Sequence, residues 1–433
     1  MADIQVPIAS WSHLLPTRTR LVPYNRAMTA ALDQLAGPVI FRGAGRSFGD
    51  CAYVSNGTTI TSGELHGILD FDRSAGVIEC ASGTSLLALH LAVSGSGWAV
   101  PVYGGTRWAT VGGAIGNDIH GKNHARRGSF GNHVLGLTLL TVDGSLVTAS
   151  PDSHPDLFAA TVGGIGLTGL ITSARLRLVP AVSDTVRVRA VPFTRTAGLG
   201  RLLEQTDCGY QFGWLRHPCQ QACGLHYRAE HVAVDRPRDR DPRRRGALRV
   251  NLATPVVLGS LDRLRHLAHR RLDRTMHVID LNYWGDRFEF RSNLFGRRGF
   301  HEYQFTVAAE VFDEAVRTLG GMLAGAGLHS YFTVAKRLGG QRPPGLLSFP
   351  REGCTLSTQI PDGPGVLGVL RSFTEIVIDL GGRVYLAKDS CVTKNQLERM
   401  YPEIDRWRGI VERYDPKGLI QSDLARRLDL KPW

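Results

Sequence analysis

The first 180 residues carry short apolar runs, which predict strands and short helices joined by turns. Residues 39–41 form a continuous apolar run, which predicts a buried strand. Residues 135–148 alternate apolar and polar positions around Asp143-Gly144, a hairpin-type turn pair. Residues 84–94 instead place leucines and alanines at helical spacing, after a Thr/Ser cap and before a glycine. Further strands are predicted at residues 59–61, 67–70, 76–80 and 171–179, and further helices at residues 26–36 and 156–161.

The pattern changes after Pro180, where strands alternate with helices, and again after residue 382. A chain of 433 residues exceeds the size of one hydrophobic core, so we expect more than one domain. We predict an α+β fold with boundaries at residues 1–180, 181–382 and 383–433. The strands predicted in the second part are residues 186–191, 210–214, 224–227, 303–307, 328–336 and 356–360. The helices predicted after Pro180 are residues 197–205, 257–274, 308–324, 363–380 and 394–413.

One stretch, residues 101–134, has more glycines than a packed core would use, because each glycine loses backbone entropy on folding and packs no side chain. It also carries three histidines among basic residues, His120, His124 and His133. A backbone that runs close to a large flat ligand, and offers it main-chain N–H groups, explains this composition. We predict that the stretch is a loop wrapped around a cofactor. Its glycines are Gly104, Gly105, Gly112, Gly113, Gly116, Gly121, Gly128 and Gly131.

Two other glycine-rich loops flank this stretch. RGAGRSFGD follows the predicted strand at residues 39–41, and GGIGLTGLI occupies residues 163–171. The first loop is not a dinucleotide-binding fingerprint, because no amphipathic helix follows it to receive a pyrophosphate at its N-terminus. It remains a strand and loop that can present backbone N–H groups to a diphosphate, with Arg42 and Arg46 beside it.

Composition and charge narrow the function classes. Apolar residues make up 43% of the chain and charged residues 21%, and no apolar run is long enough to span a bilayer. The net charge of +12 suits nucleic acid, an anionic membrane surface or an anionic substrate. Much of that charge lies in residues 228–249, which we interpret as a solvated loop, and no nucleic-acid motif accompanies it. Seven scattered cysteines predict reduced thiols and a cytoplasmic protein, with no metal site.

The three glycine loops, in this order, resemble the FAD-binding domain of the vanillyl-alcohol-oxidase type of flavoprotein. VGGAIGNDIHGKNH, GSFGNHV, YLAKDS and SDLARRL are further similar to the decaprenylphosphoryl-β-D-ribose 2′-oxidase family. The resemblance covers residues 37–180 and 381–430 strongly and is patchy between them. It implies a two-part FAD-binding domain, to which residues 383–433 return, and an α+β substrate domain with an antiparallel sheet.

The resemblance also implies which residues hold the FAD. The first loop would bind the diphosphate, residues 117–120 would lie along the flavin, and Ile171 would touch the adenine side. Where the family has Tyr this chain has Phe48. Where many relatives carry a flavin-linking histidine this chain has Arg46, so we expect dissociable FAD. The implied cofactor residues are Arg42, Gly43, Ala44, Gly45, Arg46, Ser47, Phe48, Gly49, Gly105, Thr110, Val111, Gly112, Gly113, Asn117, Asp118, Ile119, His120, Ile171 and Tyr385.

Oxidation of an alcohol requires hydride transfer to the flavin and a group that takes the hydroxyl proton. The resemblance assigns Lys388 and His120 to catalysis, and burial would lower the pKa of such a lysine. At the position of the family pattern Gly-Trp-Asn-x-Cys-x-Asp-Phe-Pro, this chain reads GCTLSTQIP, with Thr355 for Asn and Ser357 for Cys. Glu302 likewise replaces a family Gln. The substrate residues implied are Lys122, Trp214, Tyr283, Glu302, Gln304, Lys336, Ser357 and Gln359.

We therefore expect FAD-dependent oxidation of a secondary alcohol on a furanoside, nucleoside or related glycoside. The changed substrate residues favour this over two alternatives, a polyprenyl-phosphoryl pentose 2′-oxidase at a membrane face and an alditol or sugar-lactone oxidase. The expected partners are a small sugar substrate and, if the product is epimerised, an NAD(P)H-dependent reductase. Nucleic acid is not expected, and contact with a membrane surface stays open. The sequence does not fix the substrate or the electron acceptor.

Overall fold

The computed structural model describes residues 5–25, 37–193, 198–216, 223–234, 253–286 and 294–431. The helix predicted at residues 26–36 lies outside the described residues, as does most of the Arg-rich run after residue 234. Elements are numbered over the described residues in chain order. The fold is α+β, as predicted, and it is built on two smaller sheets and one large antiparallel sheet.

Two sheets form in the first part of the chain. The strands of the four-stranded sheet are β1 Gln5–Ile8, β2 Thr17–Pro23, β3 Val39–Arg42 and β4 Thr58–Thr61. Their order in the sheet is β1-β2-β4-β3, and β4 pairs in parallel with both β2 and β3. The first two strands were not predicted from the sequence. The five-stranded sheet is antiparallel and contains β5 Ile68–Asp72, β6 Val77–Ala81, β8 Val134–Leu140, β9 Leu146–Ala149 and β10 Leu170–Arg177. The predicted hairpin is therefore confirmed as β8–β9. The short strands β7 Trp98–Ala99 and β11 Val179–Pro180 pair with each other.

The central glycine-rich stretch is only partly a loop. It contains the helices α2 Val111–Gly116 and α3 His124–Arg127 and a 3₁₀ turn at Phe130–His133, so the prediction of a continuous loop was wrong. Helix α2 begins where the Thr110 side chain accepts a hydrogen bond from Gly113 N at 3.1 Å. The other helices of this part are α1 Leu86–Val93, capped by Ser85, and α4 Pro155–Thr161.

The large sheet has eight strands in the order β15-β12-β14-β13-β17-β18-β16-β19, and its printed pairings are antiparallel. The strands are β12 Thr185–Phe193, β13 Tyr210–Leu215, β14 Gly224–His231, β15 Asp273–His277, β16 Phe300–Val307, β17 Tyr331–Leu338, β18 Gly353–Pro361 and β19 Arg383–Val384. The associated helices are α5 Leu199–Gln205, α6 Pro255–His269, α7 Val278–Asn282, α8 Ala309–Gly325 and α9 Val366–Asp379. The helix predicted at residues 257–274 therefore ends at His269, and its last residues belong to β15.

The central strands of this sheet are two-faced. On β16, Tyr303 and Phe305 pack against Phe373 of α9, while the alternate residues Glu302 and Gln304 face the other side. Because successive side chains of a strand point to opposite faces, this alternation gives the sheet one apolar face under helices and one polar face. The polar face forms the inner wall of the cavity described below.

The last segment returns to the first sheet, through backbone hydrogen bonds from Val39 N to Leu419 O and from Gln421 N to Val39 O, both 2.9 Å. Arg427 joins the two regions by pairing with Asp50 and Asp389. The helices here are α10 Lys394–Met400, α11 Ile404–Tyr414 and α12 Asp423–Arg427. One continuous helix over residues 394–413 was a wrong prediction, because Pro402 interrupts it. The domain boundaries at 180 and 382 stay a prediction.

Candidate active site

Three glycine-rich loops that lie far apart in the sequence line one cavity. The first follows β3 and contributes residues 42–48, the second contributes from residues 103–122 around α2, and the third from residues 161–171. The predicted cofactor residues in this wall are Arg42, Gly43, Ala44, Gly45, Arg46, Ser47, Phe48, Gly105, Thr110, Gly112, Gly113, Asn117, Ile119, His120, Ile171 and Tyr385. The structure therefore brings most of that set together around one space.

Three of the predicted cofactor residues are not in the wall but hold the loops in place. Val111 is fully buried in the core. A Cβ at Gly49 would overlap the carbonyl oxygen of Asp389, so only glycine allows the first loop to approach the C-terminal segment this closely. Asp118 has a positive φ of 39° and accepts a hydrogen bond from Gly131 N at 2.7 Å. Burial raises the pKa of Asp118.

Gly105 is a glycine that no contact within the described part of the protein requires. No protein atom lies within 4 Å of the position that a Cβ would occupy there, and no left-handed φ requires glycine. Gly105 nevertheless lines the cavity, so an added Cβ would lie in open space at the cavity wall. By contrast, a Cβ at Gly43 would overlap the Thr110 side chain, where the first two loops pack together. The open position at Gly105 indicates close approach of a ligand to the backbone.

Three residues of the cavity wall also carry buried acceptor atoms. Asn117 Oδ1, Gln304 Oε1 and Gln359 Oε1 are buried and have no hydrogen-bond partner within the described part of the chain. Buried polar atoms are nearly always hydrogen-bonded in folded proteins, so such atoms in a cavity wall mark positions for a polar ligand. Beside them, Tyr385 Oη donates to Asn117 O at 2.8 Å, and the Tyr385 ring packs against Phe349 at 4.7 Å.

At the inner end of the cavity, a buried carboxylate gathers three hydrogen-bond donors. Glu302 accepts from Ser357 Oγ at 2.5 Å, from Gln359 Nε2 at 2.7 Å and from Lys388 Nζ at 3.0 Å. Lys388 Nζ also donates to Ser357 Oγ at 2.9 Å, and it lies 5.2 Å from the Phe48 ring centre. Lys388 is thus held in an ion pair at the position where the first loop meets the sheet.

A second network lies beside the first, around His120. Gln304 Nε2 is 2.8 Å from His120 Nε2 and 3.0 Å from Thr355 Oγ1, and Lys336 Nζ is 3.4 Å from His120 Nδ1. Burial, followed by the charge of Lys336, lowers the pKa of His120 well below its ordinary value. Burial, followed by the charges of Lys388 and Lys122, likewise lowers the pKa of Lys336 well below its ordinary value. Both shifts are therefore in the direction of the neutral form.

Lys122 occupies another part of the wall, where its Nζ donates to Asn282 O at 2.8 Å. Burial lowers its pKa to about 7. Two predicted substrate residues, Trp214 and Tyr283, do not reach the cavity but are buried in the core beside it. Trp284, whose ring is 4.9 Å from that of Trp214, lines the cavity instead.

Several wall residues were missed by the sequence reading. Tyr103, Trp284, Asp286 and Phe332 line the cavity. Thr355, which the family pattern did name, orients Gln304 behind it. Tyr103 precedes the Gly104-Gly105 pair, so its position beside a glycine-rich loop could have indicated that it lines the cavity. Trp284, Asp286 and Phe332 carried no signal, because the first two follow helix α7 and the third lies on β17, and both elements reach the cavity only through tertiary packing.

One group of potential metal ligands occurs in the described part of the chain, outside this cavity. Ligand atoms of His90, Asp184 and His277 lie within 4.8 Å of one another. Nδ1 of His277 accepts a hydrogen bond from Ile279 N at 3.3 Å, which places the proton of neutral His277 on Nε2. A protonated Nε2 is not a metal ligand, so we assign no metal to this group.

Comparison with known proteins gives matches along nearly the whole chain. A family model described as an FAD binding domain matches residues 26–150, and one described as D-arabinono-1,4-lactone oxidase matches residues 299–428. The chain is 32% identical to decaprenylphosphoryl-β-D-ribose oxidase of Mycolicibacterium smegmatis, over 98% of this chain and 97% of that protein. It is 25% identical to L-gulonolactone oxidase of Mus musculus, over 89% and 88% of the two chains. None of the helices in the described residues has the length and apolar character to cross a bilayer.

Proposed function

The chain belongs to the family of FAD-dependent oxidoreductases that includes decaprenylphosphoryl-β-D-ribose oxidase, and from this premise we propose that it oxidises a secondary alcohol of a sugar to a ketone. The substrate that we propose is a furanoside, nucleoside or related glycoside. The observation that carries the proposal is the polar inner wall, which places Lys388, Glu302, Gln304 and His120 at one end of the glycine-lined cavity. Hydroxyl-rich ligands suit such a wall of donors and acceptors.

The residues present fit FAD. The open position at Gly105 and the unpaired acceptor Asn117 Oδ1 support a cofactor that lies against the second loop. Arg42 and Arg46 in the first loop would balance the charge of a diphosphate. When bound, the cofactor supplies the acceptor for the hydride that leaves the carbinol carbon.

Lys388 and His120 are the residues that we propose to act at the reacting group. Two hydrogens of Lys388 Nζ are used by Glu302 and Ser357, which leaves a third to donate to the carbinol oxygen. His120 is fixed on the other side by Gln304. Such prepositioned donors orient a substrate without reorganisation during the reaction.

The attachment of the flavin is also open to a direct test. Arg46 cannot form a histidyl–flavin bond, so we propose that the FAD is dissociable. Acid precipitation of the purified protein should then release all yellow colour into the supernatant. Flavin that stays in the acid pellet would contradict this proposal.

The function itself is tested by anaerobic mixing of the flavin-loaded protein with a panel of glycosides, nucleosides, alditols and aldonolactones. Loss of the absorbance of oxidised flavin with a glycoside or nucleoside supports the proposal. Bleaching by alditols or lactones alone would favour the sugar-lactone oxidase alternative, which the match at residues 299–428 supports.

If the ketone is the first product of an epimerisation, an NAD(P)H-dependent reductase completes it. The free thiols of the six described cysteines support the cytoplasmic setting that we propose, and a biosynthetic role is part of the same proposal.

One observation favours the second candidate, oxidation of a polyprenyl-phosphoryl pentose at a membrane face. Helix α6 buries Leu258 but turns most of its other apolar residues outward: Val256, Leu264 and Leu267 are 77%, 63% and 58% exposed. Its inner residue Asp262 accepts a hydrogen bond from Trp214, while exposed arginines surround its C-terminal end. An apolar face with flanking arginines suits the surface of an anionic bilayer.

This second candidate is tested by flotation with vesicles of phosphatidylglycerol and, as a control, of phosphatidylcholine. Flotation with the anionic vesicles that is lost in Leu264→Ser/Leu267→Ser, together with bleaching by a lipid-phosphate sugar, would favour it. A protein that stays at the bottom of the gradient with both vesicles, and is reduced by a soluble glycoside, would exclude it.

A further inference from the structure

We propose that Lys336 is the group that takes the hydroxyl proton of the substrate, and that the network around His120 holds it as a neutral amine for this purpose. The inference rests on the proposed alcohol oxidation and assigns its proton acceptor. It differs from the expectation that Lys388 has this role, because Lys388 is held by the carboxylate of Glu302.

The direction of each hydrogen bond in the network follows from the position of one hydroxyl. Thr355 Oγ1 lies 2.7 Å from Phe305 O, which is an acceptor only, so the single hydroxyl hydrogen of Thr355 is donated there. Thr355 Oγ1 can then only accept from the Gln304 amide, 3.0 Å away. The amide must therefore present Nε2, because the reverse orientation would set two oxygen acceptors against each other.

The second hydrogen of the Gln304 amide fixes the tautomer of His120. Gln304 Nε2 also lies 2.8 Å from His120 Nε2, so it donates to that ring nitrogen. The proton of neutral His120 must therefore be on Nδ1, which faces Lys336 Nζ at 3.4 Å. An ammonium would oppose this N–H with hydrogens of its own, whereas a neutral amine offers it a lone pair.

The surroundings of Lys336 disfavour its charged form as well. Among the described residues, no carboxylate lies within 4.0 Å of its Nζ, and the charged groups that act on it include Lys388, Lys122 and Glu302. His124 also faces it, and its Nδ1 accepts a hydrogen bond from Gly339 N at 3.0 Å. Burial first, and then the two neighbouring lysines, lower the pKa of Lys336, while Glu302 opposes that effect.

A neutral Lys336 balances the reaction. In the substrate complex the carbinol hydroxyl takes the place of the 3.4 Å contact from His120 Nδ1 at the single lone pair of Lys336 Nζ. The O–H bond of the carbinol then breaks and its proton goes to that lone pair, while the carbinol hydrogen leaves with its electron pair to the flavin. The carbonyl bond forms from the two electrons of the broken O–H bond. The alcohol is oxidised by two electrons, the flavin is reduced by two, and Lys336 becomes an ammonium that releases its proton to solvent before the next turnover.

The test compares Lys336→Met and Lys336→Arg with the exposed control Lys394→Met, each loaded with FAD. The rate of anaerobic flavin reduction at saturating substrate should fall about 10²- to 10⁴-fold in both Lys336 variants, the usual contribution of a general base. Arginine keeps the positive charge but cannot take a proton, so rescue by Lys336→Arg would show an electrostatic role and overturn the proposal. The wild-type rate should rise with pH through one ionisation that Lys336→Met lacks, and an unchanged profile would also overturn it.

A readout independent of turnover is the tautomer of His120, measured by ¹⁵N NMR of histidine-labelled protein and assigned with His120→Gln. We expect protonation at Nδ1, and a change of tautomer population in Thr355→Val, where Gln304 is free to turn over. Protonation at Nε2 in the wild-type protein would overturn the network. If no sugar reduces the flavin but the Nδ1 tautomer is found, then the proposed function fails while the network stands.

Discussion

The replacement Gly105→Ala separates the needs of the cofactor from those of the fold. No protein atom lies within 4 Å of the new Cβ, so the chain itself can accept the methyl group. Loss of backbone freedom in the unfolded chain should leave the stability of the apoprotein unchanged or raise it by about 0.4–1 kcal/mol. The methyl group would be added at the cavity wall, where we expect overpacking against a bound ligand to cost about 1–3 kcal/mol.

That cost corresponds to an increase of about 5- to 150-fold in the dissociation constant of FAD. The matched control is Gly368→Ala in α9, which also has open space at Cβ but lies away from the cavity. Flavin titration should show weakened binding in Gly105→Ala alone, and urea unfolding should show no loss of apoprotein stability in either variant. Wild-type FAD affinity in Gly105→Ala would refute the argument that the ligand, and not the protein, requires this glycine.

Two further predictions concern the inner wall and a buried histidine near Lys336. Glu302→Gln and Gln359→Asp should each destabilise the protein, whereas the double variant restores one carboxylate beside one amide. Urea unfolding of the four proteins should therefore show a coupling free energy of about 0.5–3 kcal/mol between the two positions. Additive losses of stability would contradict the pairing. Burial lowers the pKa of His124 to about 3. Between that pH and the ordinary histidine pKa of about 6.5, the unfolded chain binds a proton at this residue that the folded chain does not. The stability of the protein should therefore fall as the pH falls from about 6.5 toward 3. His124→Gln, compared with the exposed control His329→Gln, should flatten the slope of unfolding free energy against pH in that window, and an unchanged slope would count against this assignment.

The sequence alone predicted those features that depend on residues close together in the chain. The loops at residues 42–50 and 163–171 were recognisable because their glycines lie close together, and the β8–β9 hairpin because Asp143-Gly144 sets its turn. Helix α2 was missed because three glycines suggest a loop, while the Thr110 cap and packing against Ser82 decide otherwise.

The inner wall could be predicted only in part. Glu302, Gln304, Ser357 and Lys388 were named by likeness to a family pattern, but their partners were not. The register between β16 and β18 sets Glu302 opposite Gln359, and a register between distant strands cannot be read from local periodicity. Trp214 and Tyr283 failed to reach the cavity for the same reason, since strand pairing and helix docking turn them into the core.

The central claim is that this cavity couples a bound flavin to the oxidation of a sugar alcohol. Its most direct test is a single anaerobic turnover of the FAD-loaded protein with the best substrate of the panel, followed by quantification of the carbonyl product. We predict one equivalent of keto-sugar for each flavin reduced, and no reduction by the analogue that lacks the reacting hydroxyl. Flavin reduction without a ketone, or equal reduction by that deoxy analogue, would contradict the account.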